Sequence, residues 1–150
     1  MDMTNPDWVA PCGLWCGACG IAVAHATGNE RLKEKLAPVY GCEAKDMVCE
    51  GCKSKIRFVF CKECPIRACT ESKGYKGCFE CADFPCDSVK NFPHPVGRKV
   101  ILRSVPEWRE LGTERWLATQ IARYACPACG ARLMRGQTRC PGCKEPVNPD

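Results

Sequence analysis

This chain has little of what usually announces a function. No apolar run approaches the roughly 20 residues needed to span a bilayer, so no membrane helix and no membrane partner is expected. The first stretch, Met1 to Pro11, is polar, with Asp2, Asn5 and Asp7, and has no apolar signal core. The expected location is therefore cytoplasmic, in a reducing compartment where disulfides do not persist. Neither G-x-S-x-G nor G-x-x-x-x-G-K-[ST] occurs, so two common catalytic frames are missing. Histidine occurs twice. His25 lies on a short apolar segment and reads as structural, with a place in a metal shell as the alternative. His94, between Pro93 and Pro95, reads as an exposed loop residue. Glu63 and Glu80 fall inside C-x-x-C turns and read as solvent-facing. Lys53, Lys55 and Arg57 read as a solvated surface. No catalytic set emerges.

What is present is cysteine. Sixteen of the 150 residues are cysteine, far above ordinary globular usage. Such a chain is either a disulfide scaffold or a metal protein, and the expected compartment and the spacing favour metal. Twelve cysteines lie within residues 12–86, none within 87–125, and four within 126–150. This divides the chain into a Cys-rich metal-binding segment (1–90), a helical segment packing on it (91–125), and a zinc ribbon (126–150). The expected fold class is a small metal-rich α+β protein. It has short helices and irregular Cys-rich turns, then a helical segment, then a zinc-ribbon β-hairpin.

The ribbon carries the strongest signal. Cys126-Pro-Ala-Cys129-Gly130 and Cys140-Pro-Gly-Cys143-Lys144 are two knuckles ten residues apart. Two residues between cysteines let one tight turn aim both sulfurs at one ion. Turn amides can hydrogen-bond the thiolates, and Gly130 permits a positive φ after the second ligand. Two such turns supply a tetrahedron of sulfur, which suits zinc; one iron would fit the same geometry. Gly136, between the knuckles, suits a hairpin tip.

The first twelve cysteines fall along the chain as Cys12/Cys16/Cys19, Cys42/Cys49/Cys52, Cys61/Cys64/Cys69 and Cys78/Cys81/Cys86. They divide into three sites of four, or into fewer sites with spare thiols. Several gaps are not those of paired zinc knuckles and suit chains wrapping iron–sulfur clusters of the 4Fe–4S type. The bacterial ferredoxin run C-x2-C-x2-C-x3-C-P is absent, and Cys16-Gly-Ala-Cys19-Gly20 is again knuckle-like. Both metals stay open for these sites. Cys61-Lys-Glu-Cys64-Pro-Ile-Arg-Ala-Cys69 repeats as Cys78-Phe-Glu-Cys81-Ala-Asp-Phe-Pro-Cys86 at an offset of 17 residues. This predicts two similar metal-binding turns. From Gly41 to Cys86 there is little hydrophobic period, so metal is expected to replace a core there.

Helices are expected elsewhere. Ile21 to Ala26 is a short apolar stretch. Asn29 can cap a helix over Glu30 to Ala37, ended by Pro38. Val96, Val100, Ile101, Val105, Trp108 and Leu111 follow helical steps, interrupted at Pro106. Gly112 breaks the chain, and Thr113 can cap a further helix carrying Trp116, Leu117, Ile121 and Tyr124. These helices are expected to roof the metal-rich segment.

The formal charge is +5, all of it in residues 91–150, where 10 Lys and Arg face 5 Asp and Glu. Metal ligands are thiolates, however, and four loaded sites would bring the net charge to about −3. Basic balance is thus weak support for nucleic acid, although Arg123, Arg132, Arg135 and Arg139 surround the ribbon.

Three stretches together carry a family resemblance: Cys12-Gly-Leu-Trp-Cys16-Gly-Ala-Cys19, Cys49-Glu-Gly-Cys52-Lys53, and Cys78-Phe-Glu-Cys81-Ala-Asp-Phe-Pro-Cys86. Over about residues 10–90 the chain resembles the Cys-rich prokaryotic domain-of-unknown-function family 3795. That family is frequent in anaerobic bacteria and archaea. The stretch from Leu111 to Leu117, leading into a C-P-x-C-G ribbon, is similar to a subset of it. The resemblance implies metal binding and no particular activity. Cys12-x3-Cys16-x2-Cys19 also has the spacing of the radical S-adenosylmethionine motif. There the likeness stops, since Ala18 stands where an aromatic is usual and the chain is too short for the partial barrel.

The expected function is that of a small metal-binding protein. It would have a structural zinc ribbon and further Cys-ligated sites, serving as an accessory or redox module for a protein partner. A nucleic-acid-binding ribbon protein and a ferredoxin-like electron carrier are the alternatives.

Overall fold

A computed structural model describes all 150 residues. Its regular structure is helical: α1 (Gly20–Ala26), α2 (Glu30–Tyr40), α3 (Pro65–Lys73), α4 (Asp87–Lys90) and α5 (Pro95–Arg123). Short 3-10 turns occupy Pro6–Trp8, Cys16–Ala18, Ala44–Asp46, Val59–Cys61 and Cys78–Glu80.

Local chemistry explains most of these elements. The Asn29 side chain accepts the Leu32 amide at 3.0 Å and so caps α2 as expected. The helix ends at Gly41, which is left-handed at φ 65°, and not at Pro38. A proline so near the helix end removes one bond, and the carbonyl it strands belongs to exposed Glu34. α3 starts with Pro65 and stops at left-handed Gly74. The two copies of the C-x-x-C-x4-C repeat therefore differ in conformation. Cys69 sits inside a helix, whereas Cys86 follows an irregular turn and precedes α4. Pro85 holds Phe84 out of the helical region in the second copy; nothing equivalent precedes Cys69.

α5 corrects a second expectation. It runs through Pro106 and bends at Gly112, whose φ and ψ are 75° and 165°. Pro106 is exposed, and the bond it removes lies on the outer face of the helix. The Trp108 indole N–H bridges the bend by donating to Thr113 Oγ1 at 2.9 Å. Val96, read as a core position, is exposed, while Val100, Ile101, Val105 and Trp108 are buried.

The β component is also corrected. Pairing is limited to three isolated bridges, Val9–Trp15, Ala125–Arg132 and Arg139–Pro146. The arms between successive ribbon turns are too short to extend a ladder. The protein is small, helix-rich and Cys-rich, with almost no strand.

Three apolar clusters hold these elements together. The largest joins Val9, Trp15 and Ala18 to Trp108, Trp116, Leu117 and Tyr124 of the long helix and its end, and to Leu133, Cys126 and Cys140. Trp108 stacks on Trp116 at 4.8 Å and meets Phe79 at 4.3 Å. A second packs Cys12 and Cys78 with Ile66, Val89, Ile101 and Val105. A third packs Cys16 and Cys49 with Ile21, Ala22, Met47 and Phe58. α5 thus lies against the Cys-rich segment. Ser104 Oγ donates to the Gly13 carbonyl at 2.7 Å and accepts from the Trp116 indole at 3.1 Å. Gly17 is demanded sterically: a Cβ there would lie 2.1 Å from the Trp15 ring. No helix is long and apolar enough to cross a membrane.

Candidate metal centres

The C-terminal centre is built by two matched turns. In the first, the Gly130 amide returns to the Cys126 carbonyl at 2.8 Å; in the second, the Lys144 amide returns to that of Cys140 at 3.1 Å. Each closing residue has positive φ, 72° at Gly130 and 66° at Lys144. The expected role of Gly130 is met, and a lysine takes the same strained conformation in the second turn. Gly136, at φ 81°, forms the tip between them.

The four sulfurs converge. Cys126 and Cys143 lie 3.7 Å apart, and Cys129 and Cys140 3.5 Å apart. A tetrahedron with zinc–sulfur bonds of about 2.3 Å has edges of about 3.8 Å, so the spacing fits a single ion. The group could bind a metal without rearrangement. The Gly142 amide reaches Cys140 Sγ at 3.3 Å. Burial opposes ionisation of Cys140, but the amides of Cys143 and Gly142 and the thiols of Cys126 and Cys129 overcome it and bring the thiol down to about 6. The turns therefore prepare one thiolate ligand before any metal arrives. At its neighbour Cys143 the Glu145 amide lowers the thiol, but burial and hydrogen bonds with the other thiols outweigh it and push Cys143 up to about 12.

The other twelve cysteines are arranged differently. All are free thiols. Outside the ribbon, no three potential ligand atoms of His, Cys, Asp or Glu lie within 4.8 Å of one another. Eight cysteines gather around the amino-terminal turn. Cys16 is raised by burial and then by Cys52, Cys19 and Cys49. Cys12 is raised by burial and then by Cys52, with Cys64 and Cys78 behind it. Cys61 is raised by desolvation of its sulfur and by Cys52, Cys19 and Cys49, although the residue is exposed. Cys42 packs against the apolar cluster that contains Cys16 and Cys49. The remaining four, Cys69, Cys78, Cys81 and Cys86, line one cavity. Cys78 is raised to about 12 by burial and then by Cys86, Cys81 and Cys69.

Tertiary contacts thus re-sort the triplets read along the chain. Cys69 leaves Cys61 and Cys64 to join the second repeat. The Cys78 amide donates to the Pro11 carbonyl at 2.8 Å, which brings that repeat against Cys12.

Three basic residues absent from the sequence reading, together with Arg135, read there as part of a basic surround of the ribbon, position these groups. Arg67, nearly buried, donates to the carbonyls of Cys61 and Lys62 at 2.7 and 2.6 Å. Arg109 of α5 donates to those of Phe79 and Cys81 at 2.8 and 2.7 Å. Arg135 donates to the Trp15 carbonyl at 3.0 Å, and its amide to that of Ala18 at 2.8 Å, so the ribbon tip is keyed to the Cys12–Cys19 turn. Lys73 stands 3.8 Å from Cys81 Sγ. One signal for Lys73 was legible: on a helix starting at Pro65, it falls one turn after Cys69 and on the same face. Glu63 and Glu80 are exposed, as are His94, Lys53 and Lys55, while His25 and Arg57 are half-buried.

The profile of a family described as a protein of unknown function, DUF3795, matches residues 8–91. The chain belongs to that family. The match takes in all twelve N-terminal cysteines and stops before α5 and the ribbon. Among curated proteins and among solved structures, none matches this chain.

Proposed function

We propose that this protein is a redox accessory module of the cytoplasm. Its N-terminal cysteines hold iron–sulfur clusters, and its C-terminal ribbon holds one structural zinc. The contrast in sulfur spacing carries this reading. Sulfurs meant for one ion converge, as at Cys126, Cys129, Cys140 and Cys143. Sulfurs meant for a polynuclear cluster stay apart, because iron and sulfide fill the space between them. No three of the twelve N-terminal thiols converge in this way, which supports room for such clusters between them. When bound, such clusters supply one-electron chemistry, with the electron delivered and taken by a protein partner. Apolar Val59 and Phe60 are exposed beside Cys61, which supports a partner approaching that side.

The nucleic-acid alternative draws less support. Arg135 donates inward, Arg132 lies on Met1 and Met3, Arg123 pairs with Glu107, and Arg139 donates to the Lys144 carbonyl.

Anaerobic metal and acid-labile sulfide analysis tests the proposal. The expected result is a brown protein absorbing near ~400 nm, with about one zinc per chain and iron matched by sulfide. A colourless protein, purified without air and carrying zinc alone, would refute it.

A further inference from the structure

We infer that Cys69, Cys78, Cys81 and Cys86 hold one four-iron cluster of their own, separate from the inner eight cysteines and with Lys73 at its mouth. This rests on the iron–sulfur reading above and adds a ligand set to it.

The four residues come from three elements: Cys69 from α3, Cys78 and Cys81 from the turn Cys78–Glu80 and its end, and Cys86 from the start of α4. Together they line a cavity of about 330 Å³, walled by apolar Ile66 and Phe84. A single zinc would draw four sulfurs to about 3.8 Å from one another. No three of these sulfurs lie within even 4.8 Å. Four thiols around a half-open cavity, rather than around a point, match a cluster that brings its own sulfide.

The surroundings are built for such an occupant. Arg109 holds the carbonyls of Phe79 and Cys81 from the α5 side, while Cys78 and Cys81 line the cavity on the other. Gly77 lets the turn approach α5: a Cβ there would lie 2.9 Å from the Trp108 ring. Lys73 Nζ is 3.8 Å from Cys81 Sγ and 3.7 Å from Asp83. A four-iron cluster with a 2+ core and four thiolates carries a charge of about −2, and each thiol releases its proton on binding iron. An ammonium donating to a ligand sulfur offsets that charge and favours the reduced state.

The test uses full-length protein purified without air, with Cys81→Ser, Cys86→Ser and Lys73→Met compared with wild type. Either serine variant is expected to lose about four iron and four sulfide per chain and to keep the ribbon zinc and the remaining iron. Lys73→Met should keep all its iron and lower the midpoint potential of one cluster. If wild type carries clusters and both serine variants retain every iron, the ligand assignment fails while the iron–sulfur reading stands. If wild type contains no sulfide, both fall. Should the serine variants lose all structure, Lys73→Met decides: one shifted potential supports the assignment, and potentials all unchanged overturn it.

Discussion

The ribbon and the Cys-rich segment arrange the same side chain in opposite ways. Residues 126–143 bring four sulfurs to within one ion's reach using two local turns and their own amides. Residues 12–86 spread twelve sulfurs through a region whose buried apolar residues past Gly41 are few: chiefly Met47, Phe58 and Ile66. The first centre is preformed by the backbone. The second arrangement depends on distant parts of the chain and on arginine clamps. A short-range centre can assemble by itself, whereas a long-range one must fold and load together.

Metal removal should break the comparison most strongly. A structural metal site is worth on the order of 10–16 kcal/mol in small domains. Chelation of the whole protein is expected to abolish protection of α3 and the 41–86 segment while α5 keeps helical signal. Circular dichroism and amide hydrogen exchange would show this; full retention of exchange protection in α3 would contradict it.

The next effect tests whether the two regions share a core. Trp108 meets Phe79 of the Cys-rich segment, stacks on Trp116 and shares one buried cluster with Cys126, Leu133 and Cys140, so it links both. Trp108→Ala should cost about 3–5 kcal/mol in chemical denaturation and loosen both metal centres. A loss confined to one centre would show that the regions are energetically independent.

Acid should separate the two by order of release. Protons compete with metal for thiolates. Cys78 is held near 12 by burial and neighbouring thiolates, so it recaptures a proton while the solution is still only mildly acidic. In the ribbon the coupled pair splits: Cys143 is pushed up to about 12 while Cys140 is brought down to about 6, so one ligand there stays ionised longer than any shifted thiol of residues 12–86. As pH is lowered from 8, iron should leave before zinc, as read with a coloured chelator. Simultaneous release would remove the distinction.

The smallest effect lies in the turns. Gly130→Ala forces a side chain into left-handed backbone and should cost about 1–2 kcal/mol of ribbon stability, measured on the zinc-loaded protein. Lys144 already occupies that conformation in the other turn, so Lys144→Gly should leave stability nearly unchanged or slightly raised.

Much of the protein was legible from residue order where the relevant physics is short-range. The convergence of Cys126, Cys129, Cys140 and Cys143, the positive φ of Gly130, the Asn29 cap and the Gly112 bend all follow from neighbours within a few positions. Errors arose where local signs were overruled or overlooked. Pro38 and Pro106 were taken as breaks, yet each removes one bond on a solvent-facing side. α3 was hidden inside a repeat that reads as a turn, although Pro65 and Gly74 bracket it. The β-hairpin reduced to bridges because its arms are only a few residues long.

Residue order by itself determined that sulfur is the chemistry of this chain and which four sulfurs share the ribbon, because a C-x-x-C turn aims both side chains without outside help. Only the tertiary structure decided which of the other twelve meet. Cys69, Cys78, Cys81 and Cys86 lie around one cavity because α5, through Arg109 and Trp108, presses the second repeat against α3. Contacts spanning that much chain depend on the packed core, and no local spacing records them.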